Sequence, residues 1–155
     1  MQMTKISSTR HRMFLAHTYG HLYEKHFSSR PGCFYCGDPA DSIDHCPPLT
    51  FMEVKDQKWF KQKKIKFYTV ASCNQCNRRL SNKPFLTLHE RADYILRRLE
   101  QNTNDIVTWS EDEIMEMSKV FEKAIRARHR QHQQLFERVR FAQELLHRPD
   151  DFPDD

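Results

Sequence analysis

Cys33-Phe34-Tyr35-Cys36, Asp44-His45-Cys46-Pro47-Pro48 and Cys73-Asn74-Gln75-Cys76-Asn77 are the stretches on which the reading of this chain turns. The two Cys-x-x-Cys pairs supply four thiolates. At this spacing they can close a tetrahedral zinc shell at about 2.3 Å per sulfur. A shell of four protein ligands leaves no open position for water or substrate, so such a zinc is structural. Its ligands join distant stretches of chain, and it therefore sets the distance between the groups those stretches carry. Cys46 belongs to neither pair and reads as a buried thiol, not as a nucleophile. No thioredoxin-like strand–Cys-x-x-Cys–helix pattern supports a redox role at both pairs.

The segments around the pairs read as a hairpin followed by a helix. Ser42 to His45 is a short strand, ended by Pro47-Pro48, which remove ladder donors. Ile65, Phe67, Thr69 and Ala71 alternate with Lys66, Tyr68, Val70 and Ser72, which predicts a second strand pairing with the first. The hairpin loop would be Leu49 to Lys64, a basic insert containing Phe51, Val54, Trp59 and Phe60. It reads equally as helix or loop; its aromatics can stack on bases or anchor the insert to the core, the anchor being the reading for Trp59. The second cysteine pair opens a helix from Cys73 to about Leu80, stopped by Ser81-Asn82-Lys83-Pro84. Gly37 supplies the tight backbone that the first knuckle needs.

Helices are expected on both sides. Ser8 to Phe27 shows helical spacing in Phe14, Leu15, Thr18, Tyr19, Leu22, Tyr23 and Phe27. His17 and His21 lie four apart but lack an acidic third ligand and read as surface. From Pro84 or Phe85 to Gln101, an apolar face is made by Phe85, Leu88, Ala92, Ile95, Leu96 and Leu99. Ser110 and Glu113 form a capping box. Helix follows to about His147, with Met117, Phe121, Ile125, Leu135, Val139, Ala142 and Leu146 stepping by threes and fours. Its polar middle, Arg126 to Gln134, leaves open one helix or two jointed near His129–Gln133. The stripe suits a homodimer seam or packing back on the domain. The expected organisation is a domain at 1–105, a helical region at 106–149, and a disordered acidic tail at 150–155.

The chain of 155 residues is hydrophilic, with 30% charged and 38% hydrophobic residues. A core this modest needs a staple, and zinc serves where disulfides do not form. The net charge of +4 is unevenly spread: Phe51 to Arg98 holds twelve basic residues against four acidic ones. A basic centre fits a polyphosphate partner, as it also fits a solvated lysine-rich face. The first ten residues lack the apolar run of a signal peptide, and no segment approaches the roughly 20 apolar residues of a membrane span. The expected setting is cytoplasmic and reducing, nucleoid-associated if the source is bacterial or phage.

Cys-x-x-Cys, then Asp-His-x-x-Pro at Asp44, His45 and Pro48, then Cys-x-x-Cys-Asn ending at Asn77 resembles the zinc-bearing HNH endonucleases. The likeness covers about Cys33 to Lys83, a third of the chain. A weaker likeness is to phage endonuclease VII-type junction resolvases. The resemblance implies an α+β fold with a ββα-metal core held by a treble-clef-like knuckle of Cys33, Cys36, Cys73 and Cys76. It implies hydrolysis of DNA phosphodiesters, with His45 as general base and Asp44 and Asn77 holding catalytic Mg²⁺ or Mn²⁺. Arg78, Arg79 and Lys83, with Lys61, Lys63 and Lys64 of the insert, would grip phosphates of duplex or branched DNA. Tyr68 stands where many family members have a middle Asn that orients the histidine. The alternatives are a non-catalytic zinc module that binds nucleic acid or protein, and a dimeric junction resolvase.

Overall fold

The computed structural model describes residues 8–81, 83–104, 106, 108–116 and 119–153. Its architecture is α+β, with one small three-stranded sheet and mostly helices around it. The strands are β1 (Glu24–Lys25), β2 (Ser42–Cys46) and β3 (Tyr68–Ser72), in the order β1-β3-β2. β2 runs antiparallel to β3, with Asp44 opposite Val70 and His45 opposite Thr69. β1 runs parallel to β3, with Glu24 opposite Tyr68.

The N-terminal helix, α1 (Ser8–Tyr19), is shorter than its periodicity predicts. Gly20 begins a single 3-10 turn, and the chain then joins the sheet. Glu24 N–H donates to Phe67 O at 2.9 Å, and His26 N–H to Thr69 O at 2.9 Å. Ladder bonds from a neighbouring strand thus outcompete helical spacing between residues 20 and 27. The expected apolar face is correspondingly broken. Leu15 is buried, whereas Phe14 is 60% and Phe27 74% exposed.

The β2–β3 insert forms two short helices, α2 (Phe51–Val54) and α3 (Gln57–Gln62). Asp56 caps α3 by accepting from Trp59 N–H at 2.8 Å. Phe60 fills the core, and Trp59, the expected anchor, stands edge-on to it, half-buried at 5.1 Å between centroids. Lys64 takes φ +53°, and Ile65 N–H folds back to Phe60 O, which delays the start of β3 to Tyr68.

Two further helices carry the core. In α4 (Asn74–Leu80), Cys73 is the N-cap residue. In α5 (Leu88–Gln101), Thr87 and Glu90 form a capping box that starts the helix three residues after Phe85. Beyond it lie α6 (Glu111–Met115), capped by Ser110 and Glu113, and α7 (Lys119–Leu146). α7 runs through the polar stretch at His129–Gln133 without a joint, and helix is interrupted earlier, after Met115. Met117 of the expected stripe lies outside the described residues. α7 packs back on the domain. Its Ala142 and Leu145 are buried with Leu88, Ala92, Ile95 and Leu99 of α5, and Leu135, Val139 and Leu146 flank them.

The expected acidic tail is partly folded. Pro149–Asp151 makes a 3-10 turn in which Asp151 is buried. Asp151 accepts from Ser29 Oγ at 2.6 Å and pairs with Arg148 at 3.0 Å, while Phe152 stands edge-on to Phe34. These contacts offset the entropy of ordering a chain end. Asp154 and Asp155 lie outside the described residues.

The Thr87–Glu90 box fixes where α5 enters the core. Thr87→Ala should lower stability to urea by about 1 kcal/mol and leave the metal content unchanged, as read by denaturation and zinc analysis.

Candidate metal centre

The Sγ atoms of Cys33, Cys36, Cys73 and Cys76 all lie within 4.8 Å of one another. The four residues are 6% exposed at most. A tetrahedral shell at about 2.3 Å per sulfur places its sulfurs about 3.8 Å apart, and Cys36 and Cys73 are 3.7 Å apart. The donor set and its geometry fit a metal ion such as zinc.

Local backbone chemistry builds this cluster. Gly32 and Gly37 take φ +86° and +79° on either side of the first knuckle, a region that suits glycine. Cys33 N–H donates to Asp38 O at 2.7 Å, and Gly37 N–H to Cys33 O at 2.9 Å. Phe34 N–H donates to Ala71 O, which ties the knuckle to β3. The second pair sits at the start of α4, where Cys73 Sγ accepts from Cys76 N–H at 3.4 Å. A loop tied to the sheet and the start of a helix therefore deliver one pair each.

The Asp-His dipeptide lies on β2, where successive side chains point to opposite faces. Asp44 points inward and is 2% exposed. Arg91 of α5, with no exposed surface, grips it in a fork: Nε donates to Oδ2 at 2.8 Å and Nη2 to Oδ1 at 2.6 Å. The Tyr35 hydroxyl, also fully buried, donates to Oδ2. Burial works against the Arg91 charge, but the Asp44 carboxylate overrides it and holds the guanidinium firmly protonated. Burial pushes the Tyr35 phenol well above its ordinary value, and the neighbouring Asp44 charge adds to this.

His45 points the other way and is half-buried, edge-on to Tyr23 at 4.9 Å between centroids. Tyr23 is itself held by its hydroxyl, which donates to Pro47 O at 2.7 Å. Burial pulls the imidazole pKa below its ordinary value, Asp44 raises it and Arg91 lowers it. The Asn77 amide of α4 donates through Nδ2 to Ile43 O, one residue before Asp44, at 3.2 Å. The fold thus brings α4 against β2 beside the Asp-His dipeptide, but it does not turn Asp44 and His45 to one face.

A catalytic divalent ion, implied by the resemblance, does not fit at Asp44. Mg²⁺ dehydrates reluctantly and keeps several waters in an octahedron. Here both carboxylate oxygens already accept charged or phenolic donors in a closed interior. In this fold a guanidinium occupies the place beside Asp44 that the resemblance gives to a cation.

The basic residues are distributed over two surfaces. Lys61, Lys63 and Lys64 are exposed at the end of the insert. Arg78 is exposed on α4, Arg79 is half-buried, and Lys83 Nζ lies 5.6 Å above the Tyr94 ring. Arg91 and Arg138, which spacing alone assigned no role, prove central. Both had a visible signal. Arg91 falls three after Leu88 and four before Ile95, and Arg138 three after Leu135 and four before Ala142. Each sits on the buried stripe of its helix, where a charge requires a partner.

Two outcomes follow from this geometry. Arg91→Met leaves Asp44 buried without its partner and should cost about 3–5 kcal/mol in urea denaturation, whereas Asp44→Leu combined with Arg91→Met should recover most of that loss. His45 is held below its ordinary pKa of about 6.5, so the folded chain takes up this proton at lower pH than the unfolded chain does. Its contribution is complete above the unfolded pKa and disappears as pH falls through the folded one. The stability of His45→Phe should therefore fall less steeply than wild type on acidification from neutral pH. Comparison with family models, with curated proteins and with solved structures gave no match.

Proposed function

We propose that this chain is a zinc-stapled domain that binds nucleic acid through the basic β2–β3 insert and the outer face of α4, without acid–base chemistry at Asp44. The observation that carries this reading is the state of the two kinds of charge. Asp44, the buried carboxylate beside the cysteine centre, is neutralised from within by Arg91. Lys58, Lys61, Lys63 and Lys64 of the insert and Arg78 of α4 stand exposed. Exposed cations that meet phosphates displace condensed counterions, and this release drives most sequence-independent binding. Trp59 is half-buried, with Lys55 Nζ 5.1 Å above its ring, so the aromatic already has a cation and a core neighbour. The binding is therefore read as contact with the phosphate backbone and not as stacking on bases.

A second reading is HNH-type hydrolysis of DNA phosphodiesters. It is favoured by one arrangement: a half-buried histidine whose pKa burial lowers, on a strand against which Asn77 of the following helix leans. That reading requires Asp44 to leave the Arg91 fork. In the branched-DNA version, a dimer would need a face of α7 other than the one packed on α5.

Fluorescence anisotropy with a labelled duplex over a salt series tests the binding reading. Affinity should fall as salt rises, with a slope of about −0.9 per phosphate contacted. Lys61→Glu, Lys63→Glu and Lys64→Glu together should lower affinity at least about tenfold. No binding at low salt, or binding indifferent to these changes, would overturn it. Plasmid incubated with Mg²⁺ or Mn²⁺, with and without EDTA, should stay supercoiled. Metal-dependent nicking abolished by His45→Ala would establish the hydrolytic reading instead.

A further inference from the structure

We propose that the C-terminal helix is latched onto the metal centre through Arg138, so that metal occupancy and the docking of α7 depend on one another. This rests on the four cysteines holding zinc and is independent of what the basic surface binds. Four thiolates around Zn²⁺ carry a net charge of −2 into a closed interior, and an uncompensated buried charge is costly. Arg138 supplies a cation at that place. Its Nη2 donates toward Cys76 Sγ at 3.9 Å. Its Nη1 donates to Oε1 of Gln75, one of the two residues between the second pair of cysteines, at 2.7 Å. Its Nε lies 3.1 Å from Oδ2 of Asp38, just past the first pair. One side chain, only 11% exposed, therefore spans both knuckles from a helix that contributes no ligand.

A second contact reinforces the first, one turn further along α7. The Phe141 ring lies against Gly37, so closely that a Cβ there would fall 2.5 Å from Phe141 Cδ2. Arg30 holds the same residue: its guanidinium lies 3.4 Å from the Phe141 ring centroid and donates to Phe141 O at 3.0 Å. The loop that must close for the first pair of thiolates to converge is the loop on which α7 rests. An ion that holds the knuckle shut preserves the seat of Phe141 and the counter-charge for Arg138. By linkage, a docked α7 must in turn raise the affinity for the ion. Outer contacts of this kind, made to the ligands of a metal, typically change affinity by about 10–100-fold.

The test uses the full chain loaded with zinc. Arg138→Gln should release zinc to a chromogenic chelator about tenfold faster than wild type, and Arg138→Lys should recover part of the difference. Arg140→Gln, an exposed neighbour on α7, should behave as wild type. In the cobalt-loaded protein, the thiolate-to-metal charge-transfer band of Arg138→Gln should move to lower energy, because its sulfur has lost a hydrogen bond, and should return in Arg138→Lys. In the wild type, hydrogen exchange should show amides of 135–146 losing protection on metal removal before those around Ile95 do. Where removal unfolds the whole chain, the release rates decide. Zinc release by Arg138→Gln at the wild-type rate, an equal acceleration in Arg140→Gln, or a wild-type protein that carries no zinc would overturn the proposal.

Discussion

The convergence of four cysteine sulfurs from two distant stretches is the constraint on which the other contacts rest. Cys33 and Cys36 sit on a loop tied to β3 through Phe34 and Ala71, and Cys73 and Cys76 sit on the first turn of α4. A 155-residue chain with so polar a composition has little apolar surface with which to fix a sheet of three short strands. Two-stranded pairings are marginal by themselves. A site that joins loop, strand end and helix start removes the freedom that would otherwise let β2 and α4 separate. The α5–α7 seam then closes over one side of that junction, and the insert packs through Phe60 on Phe67, just before β3.

Two arginines complete this junction, and both act by satisfying a charge that the fold has buried. Arg91 answers Asp44, and Arg138 faces the thiolates and Asp38. Arginine suits these places because its planar fork can serve several acceptors at once and does not give up its proton. The stabilising value of such pairs is small against an apolar replacement, but removing one partner is expensive. Arg91 ties α5 to β2, and Arg138 of α7 touches residues of both knuckles.

This division explains what was legible in the sequence alone. The cysteine spacing, the β2–β3 pairing, the helix capped by Cys73 and the Ser110–Glu113 box are local signals, and each appears in the fold. β1 was not legible, because two residues joined to a distant strand leave no periodicity of their own and the helical spacing of Leu22, Tyr23 and Phe27 points elsewhere. The ordered turn at Pro149–Asp151 was hidden for the same reason: its stability comes from Ser29 and Phe34, more than a hundred residues away. The basic insert looked ambiguous because its two helices are too short to show an apolar face. At the site, the four-cysteine cluster was legible from spacing. The partner of Asp44 was not, because an Asp-His dipeptide reads the same whether the carboxylate faces a cation or a guanidinium. The clue lay on α5, where a charged residue occupies a position on the apolar stripe.

The competition at Asp44 can be weighed. Breaking a buried, hydrogen-bonded pair costs about 3–5 kcal/mol, and every 1.4 kcal/mol is a factor of ten in affinity. A divalent ion that displaced Arg91 would bind roughly a hundred- to several-thousand-fold more weakly than to the same carboxylate already free. It would also have to shed waters that Mg²⁺ holds tightly, in a space without surface. Tyr35 adds to the barrier, since its hydroxyl would lose its acceptor while remaining fully buried. The guanidinium therefore wins unless α5 moves as a body, and α5 is held by Leu88, Ala92, Ile95 and Leu99 in the same seam that seats α7. The features that fasten the domain together are thus the ones that hold Arg91 on Asp44.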